Sequence, residues 1–151
     1  MKKIMVIDDD TTTLAILRAL LDKEYKVTTA KSNVQALGSL QSSPVPPDLI
    51  LLDRTLVGGS GMELVKSIKT TPRLALIPII FLVEQMQEDL QLEGHLNGVD
   101  DFIQKPVNAE LLKLKIRRQF DICELKKENE QLTKKLNKVK AFISAISDQI
   151  L

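Results

Sequence analysis

No tryptophan occurs in the 151 residues, and aromatic side chains make up only 3%. Little is left for stacking on nucleobases, so a single-stranded nucleic acid is a poor partner. The lone cysteine, Cys123, cannot close an internal disulfide, and nothing requires an oxidising compartment. Long apolar runs are missing too: no stretch approaches the ~18 residues of a membrane span. The opening MKKIMVIDDD has two lysines but only four apolar residues before three aspartates, too short a run for a secretory signal. A cytoplasmic protein without a membrane partner is the expectation. The net charge of +1 gives no excess of either sign to attract a polyanion or a basic ligand.

That small sum hides two unlike parts. Residues 1–104 hold 10 basic and 14 acidic side chains, and residues 105–151 hold 11 and 6. Glycine and proline disappear from Asn108 onward, where helix-forming residues take over. Before that point, short apolar runs at 4–7, 26–30, 49–52, 77–83 and 102–103 alternate with helix-like stretches. This pattern predicts βαβ units and a five-stranded parallel sheet covered by helices on both faces. Asp10 or Thr11, Ser32 or Asn33, and Ser60 are placed to cap three of the helices. Leu14, Leu17, Leu20 and Leu21 would face inward from the first, Val34, Leu37 and Leu40 from the second, and Leu64, Val65 and Ile68 from the third. A fourth helix, around 87–96, has a weaker pattern.

The lysine-rich end carries a heptad series. With Ile122 as position a, the a and d residues are Ile122, Leu125, Asn129, Leu132, Leu136, Val139, Ile143, Ile146 and Ile150. Such a narrow stripe, about 43 Å long at ~1.5 Å per residue, predicts a coiled coil rather than a helix folded back on its own domain. Asn129 at an a position favours a two-stranded parallel homodimer, because buried asparagines pair there and fix register. Asp121 can pair with Lys126 of the second helix, whereas Lys135 and Lys140 repel, so charge alone does not set the orientation. The boundary is drawn between a domain of residues 1–120 and a coiled-coil helix of residues 121–151. The lysines lie within the heptads among Glu124, Glu128 and Glu130, unlike the dense basic run that enters a DNA groove, and this argues against nucleic acid.

In an open α/β sheet, ligands bind beyond the carboxyl ends of the strands. Asp8 and Asp9 follow the first strand, Asp53 the third, Val83 and Glu84 the fourth, and Lys105 the fifth. Carboxylates converging without histidine or cysteine suit a hard cation, Mg²⁺ or Mn²⁺. A lysine beside them can balance an incoming phosphoryl group. Asp53 ends a buried strand and precedes the Gly-rich 57–61 loop, which makes it the natural nucleophile for an aspartyl phosphate. His95 is read as a surface residue and Cys123, at a b position, as a bystander.

Taken together, Ile4-Met5-Val6-Ile7-Asp8-Asp9-Asp10, Asp48-Leu49-Ile50-Leu51-Leu52-Asp53, Gly61, Ile77-Pro78-Ile79-Ile80-Phe81-Leu82 and Asp101-Phe102-Ile103-Gln104-Lys105-Pro106 give the chain from Lys3 to about Phe120 a family likeness. It resembles the receiver domain of two-component response regulators. The resemblance implies a flavodoxin-like fold in which Asp53 takes a phosphoryl group from a sensor histidine kinase or phosphotransfer protein. Asp9, Asp53 and the Thr55 carbonyl would ligate Mg²⁺, Asp8 would act through water, and Lys105 would contact the phosphoryl oxygen.

Two departures stand out. The family places a Thr or Ser hydroxyl where this chain has Val83, and no Ser or Thr occurs between Pro72 and Thr133. Valine keeps threonine's shape and loses its hydrogen bond, so the switch is expected to be weak or differently wired. Its aromatic partner, Phe102, has no hydroxyl, and Val57 replaces the family's proline after the phosphoacceptor. One alternative is a pseudo-receiver, a dimeric adaptor independent of phosphorylation. Another, from Asp8-x-Asp10-x-Thr12, is a haloacid-dehalogenase-type phosphatase with Asp8 as nucleophile and Asp10 as acid/base. Otherwise no enzymatic activity is expected.

Overall fold

The computed structural model describes residues 1–56 and 59–150. The chain divides into two units, Met1–Lys115 and Ile116–Leu151. The first contains β1 (Lys3–Ile7), α1 (Thr11–Leu21), β2 (Lys26–Ala30), α2 (Asn33–Ser42), β3 (Leu49–Asp53), β4 (Thr55–Leu56), β5 (Gly59–Ser60), α3 (Gly61–Lys69), β6 (Ile79–Val83), α4 (Glu88–Asn97) and β7 (Asp101–Gln104), and α5 (Ala109–Ile150) begins within it.

The five long strands form one parallel sheet in the order β2-β1-β3-β6-β7. This is the expected flavodoxin-like arrangement. The expected fourth strand starts at Ile79 rather than Ile77, because Pro78 has no N–H to donate and contributes only its carbonyl, which accepts from the Ile50 N–H at 3.0 Å. Residues of β1, β3 and β6 are almost wholly buried, which is why their sequences show continuous apolar runs instead of alternation. Met5, Ile7, Ile50, Leu52, Ile79 and Phe81 join Ala36 and Leu40 of α2 and Leu64, Val65 and Ile68 of α3 in one core cluster. Alternate residues such as Ile4, Val6, Leu51 and Leu82 are buried on the opposite face.

Three caps fall where the sequence places them. Asp10 accepts from Thr12 N–H at 3.1 Å, Ser32 from Gln35 N–H at 3.1 Å and Ser60 from Glu63 N–H at 3.2 Å. The Asn108 side chain likewise accepts from Leu111 N–H at 3.0 Å as α5 begins. α4 has no side-chain cap, in keeping with its weak pattern, but Gly98 closes it in the left-handed region at φ 103.

The inward face of α2 is a correction. Val34 is 83% exposed, and Ala36 takes its place beside Leu40. Six residues separate Val34 from Leu40, which puts them about a third of a turn apart on an α-helix, whereas Ala36 lies four residues away on the same face. Leu20 of α1 is only half-buried, while Leu14, Leu17 and Leu21 are buried. The β4–β5 pair has no counterpart in the apolar pattern: Thr55 pairs with Ser60 and Leu56 with Gly59 in antiparallel register. Val57 and Gly58, between them, lie outside the described residues, as do Leu151 and the side chain of Ile150.

The second unit is helical through Ile150. Ile122 is half-buried, and Leu125, Leu132, Leu136, Val139, Ile143 and Ile146 are between 38% and 64% exposed. Asn129 and the flanking lysines are exposed as well. No helix among the described residues is long and apolar enough to cross a membrane.

The corrected faces give a stability contrast. Leu51→Ala removes a fully buried side chain and is expected to cost about 3 kcal/mol in chemical denaturation. Val34→Ala, despite the apolar identity it removes, is expected to stay within about 0.5 kcal/mol.

Candidate functional site

Parallel register brings the ends of the central strands to one level. Ile7 lies opposite both Ala30 and Leu52, Asp53 opposite Leu82, and Val83 opposite Gln104. The residues that follow β1, end β3 and follow β6 and β7 therefore meet at one edge of the sheet. There Asp8, Asp9, Asp53, Thr55, Glu84 and Lys105, with Asp10, Arg54 and Leu82, line a cleft of about 370 Å³.

Asp8 is completely buried and both its oxygens are engaged. Oδ1 accepts from the Asp10 N–H at 2.9 Å, and Oδ2 from Lys105 Nζ at 3.0 Å. Lys105 Nζ also lies 3.5 Å from Asp53 Oδ1. Its backbone N–H donates to the Val83 carbonyl at 2.8 Å, which ties the lysine to the end of β6. The Lys105–Pro106 peptide is cis. Nearly two turns into α5, Lys115 bridges Asp101 at 3.0 Å and donates to the Phe102 carbonyl, holding β7 from behind.

Asp53 is 8% exposed. Its Oδ1 accepts from the Thr55 N–H at a long 3.4 Å. Burial and the neighbouring Asp8 charge push its pKa up to about 6, against the opposing pull of Lys105. Burial works against the charge on Lys105, but the Asp8 hydrogen bond and the Asp53 charge outweigh it and raise the lysine's pKa. Gly61 packs against the backbone that carries Asp53: a Cβ there would lie 2.6 Å from the Asp53 carbonyl oxygen and 3.0 Å from Arg54 Cα. No side chain fits that contact, which accounts for the glycine.

One carboxylate oxygen from each of Asp8, Asp9 and Asp53 lies within 4.8 Å of the others. An all-oxygen set at this spacing fits a small hard divalent cation. Asp8 already accepts two hydrogen bonds, and this suits contact through an intervening water better than direct ligation. Asp10 is engaged at the start of α1. Its Oδ2 accepts from Thr13 Oγ1 at 2.8 Å in addition to the α1 cap, and these bonds hold its carboxyl below the usual range. An acid/base role of the phosphatase kind finds no support in that geometry.

Val83 and Phe102 sit apart from the cleft lining, in the apolar cluster with Leu90 and Val99. The Phe102 ring meets Phe81 edge-on at 5.9 Å and His95 at 5.3 Å. A Cβ on Gly94 would come within 2.5 Å of the ring tip. His95, read from sequence as a surface residue, is exposed yet has Nδ1 3.0 Å from the Val99 carbonyl oxygen and its ring against Phe102. Only the i, i+4 spacing of His95 and Val99 hinted at this. Cys123 is half-buried in the second unit and takes no part in the cleft.

Comparison with known proteins agrees with the geometry. The profile of the response regulator receiver domain matches residues 4–117. The chain is 26% identical over 147 residues to hybrid signal transduction histidine kinase D of Dictyostelium discoideum, covering 97% of this chain and 9% of that protein. It is 32% identical over 116 residues to the phosphate regulon transcriptional regulatory protein PhoB of Rhizobium meliloti, covering 76% of this chain and 50% of that one. The chain thus spans half or less of these relatives' lengths. Among solved structures it is similar to the chemotaxis response regulator CheY4 of Vibrio cholerae, with a TM-score of 0.73 and 27% identity over 79% of this chain and 98% of the other.

The raised pKa of Asp53 sets a pH dependence. The folded chain holds this proton more tightly than the unfolded chain, so the contribution to stability is complete below pH 3.8 and is lost as pH rises through about 6. In EDTA, the Tm difference between Asp53→Asn and the wild type is expected to grow in the variant's favour across that range. A constant difference from pH 4 to pH 7 would contradict the assignment. Gly61→Ala is expected to cost about 2 kcal/mol through displaced backbone.

Proposed function

The chain belongs to the response regulator receiver domain family of two-component signalling, and we propose that Asp53 is its phosphoacceptor. The donor is a sensor histidine kinase or phosphotransfer protein, and the cation is Mg²⁺ or Mn²⁺. The observation that carries this reading is Lys105 Nζ placed between Asp8 and Asp53 beside a three-carboxylate cluster.

At neutral pH a carboxyl with a pKa of about 6 is mostly ionised, so Asp53 is a competent nucleophile. One of its oxygens attacks phosphorus, and the donor's P–N bond breaks as the new P–O bond forms. Lys105 keeps its proton and moves its charge from Asp53 to the transferred phosphoryl oxygens. Asp9, Asp53 and the Thr55 carbonyl would hold the cation, with Asp8 reaching it through water; once bound, it neutralises charge on the phosphoryl oxygens. Like other receivers, the chain acts as a signalling module rather than through turnover of a substrate.

Output is the part in which this receiver differs. Val83 offers the phosphoryl group no hydroxyl, and Phe102 is already packed inward against Phe81 and Gly94. Phosphorylation therefore has little to pull on, and the switch is weak. The same packing supports a second reading, an adaptor independent of phosphorylation. In either case residues 1–120 act as the receiver and residues 121–151 as a dimerising coil. The exposed stripe from Leu125 to Ile146 supports a parallel homodimer with Asn129 facing its counterpart. The lysines beside it serve as a solvated face rather than a nucleic-acid surface.

With acetyl phosphate and Mg²⁺, intact mass is expected to rise by about 80 Da in the wild type and not in Asp53→Asn. No adduct under any condition favours the adaptor. Val83→Thr is expected to enlarge phosphorylation-dependent NMR shifts, and equal shifts in both proteins would remove the impaired switch. Light scattering is expected to give a dimer that Leu132→Lys reduces to a monomer.

A further inference from the structure

The carboxylates of the cleft differ in what occupies them. Asp8 is held by Lys105 and the Asp10 N–H, and Asp10 is turned to the α1 cap. Asp53 lies beside Lys105. Glu84 is different. It directly follows β6, is exposed, lines the cleft, and makes no hydrogen bond or salt bridge among the described residues. Its charge nonetheless acts on the Lys105 ammonium, the cation that must receive the phosphoryl oxygens. Next to it, the Val83 side chain supplies no polar atom. The end of β6 thus presents an incoming phosphoryl group with a negative charge and no hydrogen-bond donor from a side chain.

We propose that Glu84 is a specificity-determining residue that selects phosphoryl donors by charge, disfavouring small dianionic donors relative to donors whose leaving group carries a positive charge. The proposal builds on Asp53 as phosphoacceptor and adds which donors reach it. With either donor type, an Asp53 oxygen forms the new P–O bond. From acetyl phosphate the P–O bond breaks and acetate leaves. From phosphoramidate the P–N bond breaks and ammonia leaves with the proton already on its nitrogen. At neutral pH the first donor carries a net charge of −2 and the second −1, so a fixed negative charge at the cleft mouth penalises the first more. Arg54, also at the cleft and exposed, has the opposite sign and serves as the control.

The test measures initial rates of Asp53 phosphorylation by intact mass at low ionic strength and saturating Mg²⁺, with each donor, in wild type, Glu84→Gln, Glu84→Asp and Arg54→Gln. Glu84→Gln is expected to raise the acetyl phosphate rate about three- to tenfold and the phosphoramidate rate less, an effect that shrinks at about 0.5 M NaCl. Glu84→Asp is expected to retain the wild-type ratio of the two rates, and Arg54→Gln to move it the other way. A ratio unchanged by Glu84→Gln, or rates that rise equally with both donors, overturns charge selection while leaving the phosphoacceptor in place. Absence of an adduct in every protein, wild type included, overturns both.

Discussion

The ammonium of Lys105 holds the cleft together. Parallel strands of nearly equal length end on one edge of the sheet, and this chain places aspartates at two of those ends, so like charges gather where water is partly excluded. Asp8 has no exposure at all, and a buried carboxylate needs a paired counter-charge. Lys105 reaches it at 3.0 Å from the far side of the sheet while also standing 3.5 Å from Asp53. The lysine is itself fixed from two directions, by its own N–H on the Val83 carbonyl and by the Lys115 brace on β7. A single residue after β7 thus joins the ends of β1 and β3 through its ammonium and the end of β6 through its backbone N–H. One positive charge against three carboxylates leaves the cluster under-compensated, a deficit that a divalent cation would offset.

Much of this was legible in the sequence because it depends on period and punctuation. Continuous apolar runs marked the buried strands, and Ser32 and Ser60 marked helix starts because their hydroxyls have few other uses at those positions. The site residues could be placed because the end of a strand is defined by where its apolar run stops. Less legible was whatever depended on side-chain direction. Val34 looked like a core residue because it is apolar and close to the right spacing, and only the pairing of Ala36 with Leu40 fixes which stripe is buried. The β4–β5 pair has two residues per strand, too few for alternation to register. Val83 was identified as a departure, but its membership of the same apolar cluster as Phe102 could not be read from a missing hydroxyl alone.

The two units follow different physical rules. In Met1–Lys115 the sheet buries its apolar residues and leaves its strand ends charged. In Ile116–Leu151 one helix keeps its apolar stripe exposed along most of its length. The first gathers carboxylates around one lysine; the second leaves apolar side chains from Leu125 to Ile146 in contact with solvent. A near-neutral total charge results from adding these two conditions.

The elevated pKa of Asp53 has a further consequence. If Asp53 ligates a divalent cation, a proton held up to about pH 6 would compete with that cation for the same carboxylate. A divalent cation held by Asp53 would therefore bind less tightly as the medium becomes more acidic. Protons would then act as a competing ion, and acidification and chelation would leave the cleft in related states, one neutralised and the other bare.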